Sequence, residues 1–391
     1  MGTPSHNYWG RLRSWREYLE RLVDLHQITD IVYYADRRPY HRIAQAIARE
    51  RGINAYAYEF GYLRPDWITL EKWGMGAYSH FPDDPQKIRS LAANVEVEWP
   101  SDRYPHPFIQ EATSEVVYNL IPVFFPYLYP FYERDRYYHP IKDYFSYIPR
   151  LARSRKSETM ADQIVEELTA SNRPYFVVPL QMQSDYQIRH HSPYVHLSEM
   201  IDEVMQSFKH YAHKDALLVF KIHPFDNNCE NWPKVISGLA SHYGCRERIR
   251  VLDGGNLHQL LAHSQGTVLV NSTTGLQALN LGIPVKTLGI AIYDVEGLTC
   301  QLPLDKFWNN ATKPDPALNQ DLRKLLAASI QVHGSFFTPA GREAAAEEFT
   351  DRLVNGTVNS HGAYEEIPPR LERARKIGVP IPDDSYWSDK C

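Results

Sequence analysis

The feature that most restricts the fold is the regular exchange of short apolar runs and amphipathic stretches between residues 175 and 288. Residues 175–180 (YFVVPL), 216–222 (ALLVFKI), 249–252, 266–270 and 284–288 are short, apolar and rich in β-branched or aromatic side chains, so they read as strands. Between the first two, Leu197, Met200, Ile201, Val204, Phe208 and Tyr211 recur at helical spacing, and helical patterns also cover 232–243, 257–263 and 274–281. Strands joined by helical crossovers run parallel, so the expectation is a doubly wound sheet with its loops gathered at the strand C-terminal ends.

A smaller version of the same pattern opens the chain. Residues 30–35 (DIVYYA) and 54–59 read as strands, and between them Ile43, Ala44, Ile47 and Ala48 share one helical face before Gly52 ends the run. This is a βαβ unit. Helical patterns around 318–332 and 342–354 close the second series, and the proline-bearing stretch from 367 has no strong pattern. A length of 391 residues suits two domains of ordinary size. The expected division is an acceptor-side α/β domain at 1–160, a nucleotide-binding Rossmann-like domain at 161–360 and a tail at 361–391.

The 42 basic against 47 acidic residues give a net charge of -5, which leaves no field for a nucleic-acid partner. Cys229, Cys245, Cys300 and Cys391 form no C-x-x-C pair, so neither a disulfide framework nor a zinc knuckle is expected, and a reducing compartment fits. Residues 1–13 lack the apolar core of an export signal, and His6 stands where a myristoylation signal wants Ser or Thr. The longest apolar stretch, 116–132 (VVYNLIPVFFPYLYPFY), carries Pro122, Pro126 and Pro130 and is expected to be buried or interfacial, not a membrane span. Residues 134–156 follow with seven Lys/Arg against two Asp, interleaved with tyrosines. Together they predict peripheral binding to an anionic membrane surface; the competing expectation is a buried acceptor-side core followed by a solvated linker.

Two such units without a G-x-G-x-x-G fingerprint or a P-loop argue against dinucleotides and ATP-dependent phosphoryl transfer. What survives is α/β architecture with two Rossmann-like domains facing a cleft, the GT-B-like plan of nucleotide-sugar glycosyltransferases. In 268–285 (VLVNSTTGLQALNLGIPV) a strand ends at Asn271, and Ser272, Thr273 and Thr274 precede a helix, which predicts an anion site for a donor phosphate. An ordinary N-cap accounts for one hydroxyl, not three. Gln277, farther along that helix, is placed to bond a ribose. Lys221 and Ile222 lead to His223 and Pro224, where proline holds the histidine out of a helix and Nε2 can reach a leaving phosphate. The loop 179–194 (PLQMQSDYQIRHHSPY) concentrates Gln181, Asp185, Arg189, His190, His191 and Ser192 after a central strand. Glu59 and Arg64 of 59–65 (EFGYLRP) follow another strand end, where they serve a site or simply pair with each other.

These motifs in this order, with Ala291-Ile292-Tyr293-Asp294 and Gly297-Leu298-Thr299 behind them, resemble the bacterial capsule polysaccharide synthesis family, the retaining β-Kdo transferases, from about residue 30 to 299. The single-module length is similar to KpsS-type members, which start the Kdo linker on a phosphatidylglycerol-type lipid at the inner membrane within a capsule synthesis and export complex. The resemblance implies CMP-Kdo as donor, with His223, Pro224 and Ser272 to Thr274 as phosphate ligands and Asp185 as the catalytic carboxylate. Gln183 stands where the chain-extending enzymes have an acidic residue. Glu59 matches as acid/base or acceptor-positioning group. Kdo has no hydroxyl beside its anomeric carbon, so its oxocarbenium-like cation forms readily, and retention then calls for a nucleophile, here Asp185, or for same-face attack. Arg189 or Lys221 would hold the sugar carboxylate. With no D-x-D motif, neither metal nor other cofactor is expected. Two further readings stay open: another CMP-sugar transferase, sialyltransferase-like, with a non-lipid acceptor, and a non-catalytic assembly or export subunit.

Overall fold

A computed structural model describes residues 5–105, 108–133 and 135–381. Arg134 and Cys391 lie outside them. The chain opens with helix α1 (Trp15–His26), strand β1 (Asp30–Tyr34), helix α2 (Pro39–Arg51) and strand β2 (Asn54–Phe60). β1 and β2 pair in parallel, from Asp30 beside Asn54 to Tyr34 beside Tyr58. The crossover helix α2 buries Ile43, Ala44, Ile47 and Ala48, the face its spacing predicts, and ends at Gly52 with φ 66°. Strand β3 (Trp67–Lys72) then turns back antiparallel on β2. The turn between them is tight: a Cβ on Gly61 would lie 2.4 Å from the Trp67 carbonyl, which leaves glycine as the residue that fits. Helices α3 (Pro85–Ala92), α4 (Phe108–Phe124) and α5 (Pro140–Ala170) lead to the second unit.

That unit runs through β4 (Tyr175–Pro179), α6 (Tyr186–His191), α7 (Leu197–Tyr211), β5 (Leu217–Lys221), α8 (Trp232–His242), β6 (Ile249–Leu252), α9 (Leu257–Ala262), β7 (Gly266–Leu269), α10 (Thr274–Asn280) and β8 (Val285–Thr287). All pairings are parallel and the order is β6-β5-β4-β7-β8. The chain reverses direction across the sheet between β4 and β7, so the crevice outside the ends of these two strands is the switch point where doubly wound sheets bind ligands. Every residue of β4 and β5 is buried, as strands covered by helices on both faces must be. α7 contributes Leu197, Met200, Ile201, Val204, Met205 and Phe208 to that core, each worth about 1.5–3 kcal/mol when withdrawn from water. Its start is fixed by a capping box in which His196 and Glu199 satisfy each other's backbone amides.

The last segment returns to the first sheet. After α11 (Leu304–Asn310), α12 (Pro316–Ser329) stops short of the helix expected to reach residue 332, and β9 (Gln331–His333) pairs antiparallel with β3. The first sheet therefore has the order β1-β2-β3-β9 and mixed direction. Burial decides this: Val332 is fully enclosed with Ile68 and Leu70, where α13 (Pro339–Val354) covers them with Ala345, Phe349 and Leu353. The described residues beyond 361 are tied down as well. Arg370, 2% exposed, donates to the carbonyls of Pro82 and Ile292, one from each unit, and α14 (Leu371–Lys376) follows it.

The competing expectation for the middle of the chain, a buried core followed by a solvated linker, is corrected on both counts. Pro122 sits in the last turn of α4, where the helix persists, and the aromatic stretch is not core: Val117, Tyr118, Ile121, Phe124 and Tyr127 are all exposed. The basic stretch is no linker but the first half of the 31-residue α5.

Candidate active site

The loops after β4 and β7 meet at the switch point, and two buried amides lock them together. Gln181 Nε2 donates to Asn271 Oδ1 at 3.0 Å, while the Asn271 amide nitrogen returns a bond to Gln181 Oε1 at 3.3 Å. Asn271 Nδ2 also donates to the Gln187 carbonyl at 2.9 Å. Gln181 and Asn271, although they stand at the strand ends where donor-binding residues are sought, have spent their polar atoms on the scaffold, with 6% and 8% exposure. Gln183, likewise, donates to the Val195 carbonyl and accepts from the Leu197 amide.

What this lock holds is Asp185. Its Oδ1 caps α6 by accepting from the Gln187 amide at 2.9 Å, and its Oδ2 lies 3.4 Å from Gln181 Nε2. Across the gap, at the end of β2, Glu59 accepts from Gln187 Nε2 at 3.1 Å. Gln187 thus joins the two carboxylates through its backbone and its side chain. Burial, then the Asp185 charge, push Glu59 up to about 8. Burial also raises Asp185, but the Gln187 and Gln181 hydrogen bonds and Arg64 oppose it. The Asp185 charge opposes ionisation of Glu59, so Glu59 is the carboxylate that holds its proton to higher pH, a division of roles suited to one donor and one anionic carboxylate.

The charge of Arg64 is felt by Glu59, Asp185 and His223 alike, while its guanidinium lies over the Phe60 ring. The hydrogen-bond partner of Glu59 is Gln187, not Arg64. Of the other cations expected to meet the substrate, Arg189 is committed elsewhere. Arg189 pairs with Asp135 at 3.2 Å and stacks beside Tyr186, so it does not pair with Asp185. Lys221 is buried, and burial lowers its pKa against the pull of Glu158 and Asp253.

His223 stands at the end of β5, next to β4. The Phe225 amide donates to its Nδ1 at 3.1 Å, so a neutral ring carries its proton on Nε2. The ring is neutral at physiological pH because burial, with Arg150 and Lys221 nearby, pushes it down to about 4. Arg150, read from the sequence as surface charge, clamps this loop: it donates to the carbonyls of His223 at 2.9 Å, Pro224 at 2.8 Å and Asp226, and pairs with Asp253 at 2.6 Å. On the β7 side, Ser272 and Thr274 bond each other at 3.1 Å, and Thr273 occupies the N-cap position of α10 without a side-chain cap bond. Tyr293 braces this turn by bonding the Ser272 carbonyl. A Cβ on Gly275 would fall 2.2 Å from the Tyr293 hydroxyl, which explains the glycine. Gln277 points into solvent from α10.

Gln187 and Asp135 were not singled out by sequence reasoning, and Arg150 only as one charge of the basic stretch. Gln187 lay in a segment already marked as polar; Asp135 and the clamping role of Arg150 gave no signal in one dimension. His191, marked there, is an interface residue: its Nδ1 accepts from the Ala77 amide at 3.1 Å, and Gly76 leaves no room for a Cβ against its ring. Among the described residues no group of three or more His, Cys, Asp or Glu side chains is placed to hold a metal ion.

Residues 29–337 match the family model described as capsule polysaccharide biosynthesis protein. The chain is 32% identical over 330 residues to the Escherichia coli capsule polysaccharide export protein KpsS, covering 82% of this chain and 83% of that one. It is 31% identical over 330 residues to the capsule polysaccharide modification protein LipB of Neisseria meningitidis serogroup B, covering 82% and 78%. Among solved structures it is similar to Thermosulfurimonas dismutans KpsC, beta Kdo 2,7 transferase, at 16% identity and a TM-score of 0.43, covering 87% of this chain and 89% of that one. A family match across the sheets and the site alike, joined by relatives aligned over four-fifths of the chain, shows that this protein belongs to the capsule polysaccharide biosynthesis family.

Proposed function

We propose that the protein is a retaining glycosyltransferase that moves a β-Kdo residue from CMP-Kdo to a phosphatidylglycerol-type lipid, acting from the inner-membrane surface to initiate a capsular linker. The observation that carries this reading is the pair Asp185 and Glu59, joined by Gln187 at the switch point of the second sheet, together with a strand-end histidine whose Nδ1 is held by its own loop, leaving the proton on Nε2. In this reading CMP lies along β5 and β7, with its phosphate between His223 Nε2 and the hydroxyls of Ser272, Thr273 and Thr274. As the bond from the anomeric carbon to the phosphate oxygen breaks, those donors stabilise the departing CMP. Asp185 attacks the same carbon from the opposite face and forms a glycosyl ester; the acceptor oxygen then attacks that carbon as the ester bond breaks, its proton passing to the released Asp185 carboxylate, giving net retention. Glu59 orients the acceptor by donating a hydrogen bond while protonated. Arg64 takes the place of Arg189 and Lys221 as the cation for the sugar carboxylate. The test is to incubate the protein with CMP-Kdo and a fluorescent phosphatidylglycerol and weigh the product. A mass increase of one or more Kdo residues supports the assignment; CMP release without lipid product points to another acceptor, and no CMP release to a non-catalytic role.

A further inference from the structure

Helix α5 presents opposite faces to two different environments. Ile141, Phe145 and Ile148 lie along one side and are exposed, Phe145 by 66%. The side chains of Asp143, Ser146, Tyr147 and Arg150 lie along the other, and all four grip the loop at 223–230 that carries His223. Asp143 accepts from Asn227 Nδ2 at 2.7 Å, Ser146 contacts Cys229 Sγ, Tyr147 donates to the Phe225 carbonyl at 2.6 Å, and Arg150 clamps residues 223–226. Just before the helix, Tyr138 donates to Glu230 at 2.6 Å. The apolar side continues into α4 and the segment after it, where Tyr118, Ile121, Phe124, Phe125, Tyr127 and Phe131 are exposed. The two helices touch through Asn119 and Tyr144 at 2.9 Å.

The chemistry of this surface selects its partner. Phenylalanine and tyrosine dominate it, and Lys142, Arg153, Arg155 and Lys156 are exposed on the same helix. Tyrosine and phenylalanine at a water boundary, flanked by exposed cations, match a bilayer interface with anionic headgroups. No described helix is long and apolar enough to cross a membrane, so the surface suits seating on a bilayer, not insertion through it. We infer that the α4–α5 surface seats on an anionic lipid surface, and that α5 transmits seating to the loop at 223–230, so that lipid contact steadies the donor-side histidine. This deepens the lipid-acceptor reading and rests on it for its purpose. The coupling is reciprocal by linkage: whatever seating does for the loop, an occupied loop does for seating.

The test needs no donor sugar, so its failure is separable from failure of the transferase reading. Vesicles of phosphatidylcholine with and without phosphatidylglycerol are mixed with the protein, and sedimentation and amide hydrogen exchange are followed together. The expected result is sedimentation only with phosphatidylglycerol present, with exchange across 223–230 slowed several-fold in the bound protein. Ile141→Ser/Phe145→Ser/Ile148→Ser, all exposed positions, should abolish sedimentation without lowering Tm. Tyr147→Phe should sediment normally but lose much of the slowing. Equal binding to neutral vesicles, no binding at all, unchanged exchange in bound wild type, full slowing in Tyr147→Phe, or a dimer that buries this surface in solution would each overturn the inference.

Discussion

Asp185→Asn distinguishes a nucleophile from a helix cap, because the two roles respond oppositely to it. Asparagine caps helices as well as aspartate does, so the 2.9 Å bond from the Gln187 amide survives. The other oxygen becomes an NH2 facing Gln181 Nε2, and Gln181 cannot turn over to receive it because both ends of its amide are held by Asn271. The cost is the loss of one long bond of 3.4 Å and an NH2 left facing another, about 1–3 kcal/mol, partly offset by removing a carboxylate that burial disfavours. Tm should move by no more than a few degrees and CMP affinity should hold. If Asp185 is the nucleophile, kcat should fall roughly 10,000-fold or more, in line with losses at other covalent nucleophiles. Turnover is followed as Kdo transfer to fluorescent phosphatidylglycerol, with intact-protein mass spectrometry of a variant slowed at the acceptor step to look for one Kdo on the peptide around Asp185. Activity within about tenfold of wild type would reduce Asp185 to a cap, and an adduct on Glu59 would move the nucleophile there. Removing the Asp185 charge should also let Glu59 ionise below about 8, an independent check on their coupling.

His223→Ala and the double change Thr273→Ala/Thr274→Ala should each weaken CMP binding about ten- to a hundredfold by calorimetry, since each removes hydrogen bonds to a charged phosphate; unchanged affinity in both would clear these residues from the donor site. Glu59 keeps a proton in the folded chain that the unfolded chain, with an ordinary pKa of 4.5, gives up. Its contribution to stability therefore falls as pH rises from 4.5 through about 8, and kcat should drop along the same alkaline limb, whereas Glu59→Gln should flatten the stability profile. Arg64→Ala should raise the KM for CMP-Kdo far more than that for the lipid, and a selective lipid effect would remove it from the sugar carboxylate. Gly275→Ala forces the fully buried Tyr293 aside and should cost about 1–3 kcal/mol in chemical denaturation.

The second sheet was legible because parallel strands covered on both faces leave continuous apolar runs, and α7 because its buried positions recur at helical spacing. The candidate site was legible in part. Asp185, His223 and the hydroxyl triplet follow directly on strand ends, where chain order and position in space coincide. Their partners were not. β3 and β9 are separated by more than 250 residues and pair through backbone hydrogen bonds that any sequence can make, so only the buried side chains of Ile68, Leu70 and Val332 bring them together. Gln331 on β9 shows the consequence: its Oε1 accepts from the Leu63 amide at 3.2 Å and helps fix the loop that carries Arg64.

By itself, then, the sequence determined the strands and crossover helices of the second unit, their parallel direction, the βαβ opening of the chain, and which residues stand where loops leave the strands, because these depend on neighbours a few positions away. Tertiary structure alone decided which polar residues are scaffold and which remain for chemistry. Gln181 and Asn271 have the same composition as ligands and are consumed by each other; Arg150 looks like surface charge and is the clamp on His223; the aromatic stretch suits a core as well as an interface and faces outward. The physical reason is that a polar side chain has few hydrogen-bonding atoms, and whether they are already taken depends on groups brought close by folding from tens to hundreds of residues away.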